Sequence, residues 1–245
     1  MLPCSNPIIY VTGATACGKS TLAGRLAADL GFYHISIGGL CRSYIASIAA
    51  GLPGMSDPIR KCVAENTRIP QSLLDEFETV PAILQFYNHS TPSQWSIELA
   101  SAMIDDEISK VRRLERERGE FTGIIIDGYP ITRGTMSFEL VERYEPFFSG
   151  LTIVIESPRE LAEQRYISRA RFPFCDKAHF KNRMRKMEPS NRAFIEVMAN
   201  LGEIVRYTND GNSIDEAYNA LLSHLNESSS VWRALIWRAG LDKKD

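Results

Sequence analysis

The chain has 245 residues, 44% of them hydrophobic and 24% charged, with a formal net charge of −2. That length suits one sizeable α/β domain carrying one or two inserts, and the composition excludes a disordered or fibrous chain. The near-neutral balance gives no bulk attraction to polyanions, so no nucleic-acid partner is expected. From the N-terminus, Ile8 to Thr12 is a run of consecutive β-prone residues and reads as a fully buried parallel strand. A helix follows from Lys19 to Leu30, with Leu22, Leu26, Ala27 and Leu30 at helical spacing and Gly31 as its stop. Phe32 to Ser36 is a second short strand.

Between Gly39 and Gly119 the chain turns helical and polar, broken by Pro53, Pro58, Pro70, Pro81 and Pro92. It reads as a helical insert with a long return helix from Gln94 to Arg118, whose charge run is a solvated face. Gly123 to Asp127 and Leu151 to Glu156 are further buried strands. Helices are predicted from Glu160 to Ala170, after Pro158, and from Lys177 to Leu201, before Gly202. Glu203 to Tyr207 is a fifth strand, and Ser213 to Leu225 a closing helix capped by Ser213 and Asp215. Alternating strands and helices imply a parallel sheet covered on both faces. In the tail after Asn226, Trp232, Leu235 and Ile236 share a helical face; docking onto the chain's own core is expected, with a dimer or partner helix as the alternative.

Gly13-Ala14-Thr15-Ala16-Cys17-Gly18-Lys19-Ser20 fits G-x-x-x-x-G-K-[ST] and lies between a predicted strand and a predicted helix. Glycines at these places let successive backbone N–H groups turn toward phosphate oxygens, and the helix that follows directs its positive end at the same charge. Lys19 is placed for β- and γ-phosphates, Ser20 for Mg²⁺, and Thr21 opens the helix beside them. ATP and Mg²⁺ are therefore the expected cofactors. Cys17 reads as a small residue tolerated in the loop; sensitivity to thiol oxidation is the alternative.

Beyond the loop the chain resembles the adenylate kinase-like nucleoside monophosphate kinases from about Ile8 to Leu225. His34-Ile35-Ser36-Ile37-Gly38-Gly39-Leu40-Cys41-Arg42 is similar to the family's h-I-S-T-G-D-L-L-R. The resemblance implies that Ser36, Gly38 and Arg42 line the monophosphate site, with the Arg42 fork on the acceptor phosphate. Ile69-Pro70 sits where the family has V-P. Ile126-Asp127-Gly128-Tyr129-Pro130-Ile131-Thr132 is similar to L-D-G-F-P-R-T, which implies Mg²⁺ coordination through water at Asp127 and acceptor approach at Gly128. Ile131 replaces the family's arginine, with Arg133 two residues on. Thr135 stands where adenylate kinases carry a base-reading glutamine, and it cannot offer an amide's paired donor and acceptor.

Ser157-Pro158 with Arg165 and Arg169 resembles the family's strand end and lid approach. By that resemblance Arg165 stacks on the donor adenine and Arg169 neutralises charge on the transferred group. Arg183 matches a further catalytic arginine by its spacing to Gly202, its alternative being a solvated face among Lys181, Arg185 and Lys186. The implied fold is a three-layer P-loop α/β domain with a central five-stranded parallel sheet. Its core is 7–38, 119–169 and 177–226, with a helical monophosphate-binding insert at 39–118, a short lid at 170–176 and a helical tail at 227–245.

The implied activity is transfer of the γ-phosphoryl group of ATP to an AMP- or CMP/UMP-type acceptor. A P-loop kinase for another small molecule and a nucleotide-binding module without kinase activity are the alternatives. An acceptor phosphate is already ionised near neutral pH, so no general base is assigned to His34, His89, His179 or His224. Five widely spaced cysteines without a C-x-x-C pair argue against a disulfide framework or zinc site and for a reducing cytoplasm. The N-terminal segment does not read as a signal peptide, and no apolar run is long enough to span a bilayer. A monomer acting on small-molecule nucleotides, without a membrane, is expected.

Overall fold

The computed structural model describes residues 7–40, 97–118, 123–128, 141–142, 145–169, 176–211 and 213–238. Five parallel strands form one sheet: β1 (Ile8–Gly13), β2 (Tyr33–Ser36), β3 (Ile124–Asp127), β4 (Phe148–Glu156) and β5 (Glu203–Thr208), in the spatial order β2-β3-β1-β4-β5. The strand that opens the chain is thus central, paired with β3 through Val11 and Asp127 and with β4 through Gly13 and Ile155. Every residue of β1 is buried, as its unbroken apolar pattern requires when helices cover both faces.

One face of the sheet is covered by α1 (Lys19–Leu30), α5 (Ile214–Ser228) and α6 (Ser230–Arg238). Ile9, Val11, Ile125, Ile153, Ile155 and Val205 point toward this side and pack with Leu22, Leu26, Leu221, Leu225 and Trp232 in one core. Burying an aliphatic side chain of this size contributes about 1.5–3 kcal/mol. The opposite phase of β1 faces α4 (Lys177–Leu201), where the Phe194 ring meets Tyr10 edge-on at 5.7 Å. On that layer α2 (Ile97–Arg118) lies by β2, with Ile104, Ile108 and Val111 buried and Glu107 accepting a 2.8 Å hydrogen bond from the Tyr33 hydroxyl. The remaining helix, α3 (Arg159–Ser168), packs on α4 through Tyr166 and Phe180.

The predicted Lys19–Leu30 and Lys177–Leu201 helices have those bounds, the second running through Pro189. It starts at Asp176, whose carboxylate accepts from the His179 amide at 2.7 Å. At α5, Ser213 and Glu216 form a reciprocal capping box, while Asp215 lies in the first turn and pairs with Arg25 at the surface. Strand β4 begins three residues earlier than the expected Leu151. Ser149 and Gly150 resemble turn residues but form a bulge that sets Phe148 opposite Ile8 and Thr152 opposite Tyr10.

The tail expectation resolves to docking on the core. Trp232 is 2% exposed and its indole donates to Asn226 at 2.8 Å, so the apolar face proposed as a dimer surface is occupied by the chain's own interior. No described helix is long and apolar enough to cross a membrane.

Candidate nucleotide site

In a parallel sheet all strands finish at one edge, and ligands bind in the crevice beyond it. Here that edge gathers the ends of β1, β2, β3, β4 and β5, and the loop from Gly13 to Ser20 turns across it into α1. The loop takes a shape that side chains resist. Gly13 has φ 143°, Gly18 has φ 94°, and Ala16, although it carries a Cβ, is held at φ 63°. A Cβ on Gly13 would lie 2.0 Å from the Ile155 carbonyl oxygen, and one on Gly18 would lie 2.4 Å from the Asn209 amide nitrogen. Both glycines are therefore required by approach as well as by angle.

Three polar side chains converge at the loop's helical end. The Ser20 hydroxyl donates to Asp127 Oδ1 at 2.9 Å, and His34 Nε2 lies 2.9 Å from Asp127 Oδ2. Lys19 Nζ donates to the Ala14 carbonyl at 3.0 Å, which folds the ammonium over the loop rather than outward. Asp127 is 1% exposed. Burial pushes its carboxyl upward, but the His34 hydrogen bond, the Lys19 charge and the Ser20 hydrogen bond together outweigh it, holding the group below the ordinary 3.8. It is therefore a carboxylate at neutral pH.

A hydroxyl and a buried carboxylate side by side are hard oxygen donors, a fit for Mg²⁺, which takes one or two protein oxygens and completes its shell with water and phosphate. Among the described residues there is no cluster of three His, Cys, Asp or Glu side chains that would form an all-protein metal cage.

The loop is also gripped from below by residues the sequence reading did not select. Asn209, at the end of β5, donates from Nδ2 to the Cys17 carbonyl at 2.8 Å, and Asn191 on α4 donates to the Gly13 carbonyl at 3.3 Å. The Thr15 hydroxyl meets Met187 Sδ at 3.5 Å. His34, to which the sequence assigns no general-base role, is bound to Asp127. None of these has a local signal, because each partner lies far away in sequence.

Of the remaining expected site residues, Ser36 ends β2 in register with Asp127. Gly128 sits at φ 88°, and a Cβ there would lie 3.8 Å from the Gly38 amide nitrogen, so these two glycines are neighbours. Arg165 Nη2 donates to the Gly211 carbonyl at 2.8 Å, and Nη1 lies 3.3 Å from that of Asn209 and 3.4 Å from Ser157 Oγ. Arg169 is exposed just past α3. Arg183 is half-buried on α4, and its Nε is buried without a hydrogen-bond partner among the described residues. Thr21 is exposed in the first turn of α1. Cys17 is fully buried against the core, which shields its thiol and removes the ground for oxidation sensitivity. Arg42, Arg133, Thr135, Ile131 and lid residues 170–175 lie outside the described residues.

A strained glycine loop leading from a central parallel strand into a helix, with Lys19 and Ser20 at its end and Asp127 on the neighbouring strand, defines a P-loop α/β fold. No family model matches the chain. By sequence, however, the chain is similar to nucleoside monophosphate kinases. It is 28% identical over 169 residues to a cytidylate kinase of Chlorobaculum tepidum, covering 65% of either chain. It is 26% identical over 164 residues to adenylate kinase 1 of Drosophila melanogaster, covering 67% of this chain and 55% of that one. The chain thus spans less than two thirds of the length of these curated relatives. The crystal structure of TT1252 from Thermus thermophilus aligns over 93% of this chain and 100% of that one, with 18% identity and a TM-score of 0.48.

Proposed function

We propose that the chain is an ATP-dependent nucleoside monophosphate kinase that transfers the γ-phosphoryl group to an AMP- or CMP/UMP-type acceptor. The observation that carries this reading is the gathering of Lys19, Ser20 and ionised Asp127 at one end of a strained phosphate loop. The cytidylate and adenylate kinase relatives support a monophosphate as the acceptor class.

The reaction moves a phosphoryl group from the terminal position of ATP onto an acceptor phosphate oxygen, and ADP departs. Positioning and charge neutralisation dominate such a transfer. Amides from Ala14 to Ser20 hold the donor phosphates, and Lys19 exchanges the Ala14 carbonyl for phosphate oxygen. Ser20, and Asp127 through water, would hold Mg²⁺, which would supply charge neutralisation to the donor phosphates. His34 fixes the rotamer of Asp127. Arg165 stands on the donor-base side, where its hydrogen bonds to Asn209 and Gly211 hold the loop after β5. Arg169 and Arg183 neutralise the migrating group.

On the acceptor side, Ser36, Gly38 and Gly128 let the monophosphate approach the backbone, Arg42 and Arg133 bind its phosphate, and Thr135 takes the base-reading position by its resemblance to the family. The acceptor enters already ionised, so no side chain acts as general base.

An acceptor screen with AMP, CMP, UMP, GMP and dTMP in the presence of ATP and Mg²⁺, read by coupled ADP release, tests the proposal. Turnover should be slow until the right monophosphate is added, because a closed site excludes water as an acceptor. Lys19→Met should abolish the acceptor-dependent part. Equal ATP hydrolysis with and without every monophosphate would overturn the reading. Stimulation by a sugar acid or vitamin precursor alone would point to a different small-molecule kinase.

A further inference from the structure

The phosphate loop is built from the first residues of the chain, yet one of its closest supports is made almost two hundred residues later. Asn209 is 4% exposed, directly after β5, and its Nδ2 donates to the carbonyl of Cys17 at 2.8 Å. The same nitrogen lies against Gly18, so closely that a Cβ there would sit 2.4 Å from it. Its backbone N–H donates to the Glu156 carbonyl at 2.8 Å, which fixes the main chain at the end of β4. On the other side its carbonyl accepts from Arg165. The side chain has little freedom.

The other half of the amide is informative. Asn209 Oδ1 is buried and has no hydrogen-bond partner among the described residues. Because a carbonyl can only accept, the Cys17 oxygen dictates which end of the amide faces the loop. Leucine would fill the same volume and remove the unsatisfied Oδ1, but it would leave the buried Cys17 carbonyl without this donor. An amide with one half satisfied is explained when its donor half has work to do.

That donor holds the Cys17 peptide with its carbonyl directed away from the nucleotide side. The peptide plane is rigid, so fixing the Cys17 oxygen also fixes the opposite-facing N–H of Gly18, one of the amides available to donor phosphates. On this basis, and resting on the reading of the loop as an ATP site, we infer that Asn209 is a positioning residue for the donor nucleotide. It acts through the Cys17–Gly18 peptide, and it makes the end of β5 a determinant of ATP affinity.

The test is ATP binding by calorimetry, together with steady-state kinetics, for wild type, Asn209→Leu and Asn209→Asp. The leucine variant keeps the volume and removes the donor; the aspartate variant keeps the shape and turns an acceptor toward the Cys17 carbonyl. Both should fold, the leucine variant with some loss of heat stability because the Cys17 carbonyl loses its donor. ATP affinity should fall about tenfold for leucine, the factor set by roughly one net hydrogen bond, and further for aspartate. KM for ATP should rise while KM for the monophosphate stays unchanged, a split that general loosening of the fold would not produce.

Wild-type ATP affinity in a folded leucine variant would overturn the inference while leaving the ATP site intact. Failure of both variants to fold would also overturn it, assigning Asn209 to stability alone. Failure of the wild type to bind ATP would instead remove the reading on which the inference rests.

Discussion

The Ser20 hydroxyl donates to Asp127 Oδ1 at 2.9 Å, joining the last residue of the phosphate loop to the last residue of the neighbouring strand. The bond is made across 107 residues of sequence, and it places two oxygen donors beside the Lys19 charge. Removing either partner should therefore disturb the same event.

Asp127→Asn should reduce kcat by about 10²-fold or more, the range found when an electrostatic group at a transferring centre is lost. The Mg²⁺ concentration needed for half-maximal activity should rise with it. Ser20→Ala should raise the Mg²⁺ requirement in the same sense. A Mg²⁺ titration of initial rates checks both, and an unchanged requirement in the asparagine variant would count against a metal role for Asp127.

Acid and alkali should weaken the fold through different residues. In metal-free buffer the depressed Asp127 carboxyl contributes stability above its unfolded value of 3.8, and the contribution is lost as pH falls through the folded value. Tyr33 is pushed up from 10.0 to about 12, by burial first and then by its hydrogen bond to Glu107 and that group's charge. Its neutral phenol therefore favours the folded state below pH 10, and the contribution disappears between about pH 10 and 12. Urea midpoints across pH should show Asp127→Asn flattening the acid limb and Tyr33→Phe the alkaline limb. Unaltered limbs would refute these assignments.

Gly13→Ala should be among the most damaging single-atom additions. The new Cβ would meet the Ile155 carbonyl oxygen at 2.0 Å, and this is backbone in the sheet rather than a movable side chain. A loss of more than about 3 kcal/mol is expected from such overpacking combined with a strained φ. Chemical denaturation would read it directly, and a wild-type midpoint would show that β1 and β4 can separate without cost.

The two tryptophans of α6 should behave oppositely. Trp232→Ala removes a side chain that is 2% exposed and should destabilise by about 3–5 kcal/mol. Trp237→Ala removes one that is 69% exposed and should stay within about 0.5 kcal/mol. Comparable losses at both positions would contradict the docking of this helix.

The sequence was most legible where one local pattern dominates. Consecutive isoleucines in β3 and the glycine-bounded loop after β1 can each be read without knowing what they pack against. Phe148 was missed because the Ser149-Gly150 bulge interrupts the β pattern with turn residues. His34, Asn191 and Asn209 were missed for a different reason. Their partners are 93, 178 and 192 residues away, and an isolated histidine or asparagine carries no sign of such a partner. Arg165 was selected by resemblance as a base-stacking group, and its hydrogen bonds to Gly211 and Asn209 depend on a loop whose path only the fold reveals.

The Asn209 brace also bears on how the protein is made. A ribosome that has emitted β1 to β3 has already delivered the glycine loop, but neither the amide that holds its Cys17 peptide nor the Leu221, Leu225 and Trp232 side chains that complete the layer around α1. Nascent chains stopped before β5 should thus carry the nucleotide motif in unshaped form. Competence to retain nucleotide would arrive late in synthesis, in one step with closure of the core.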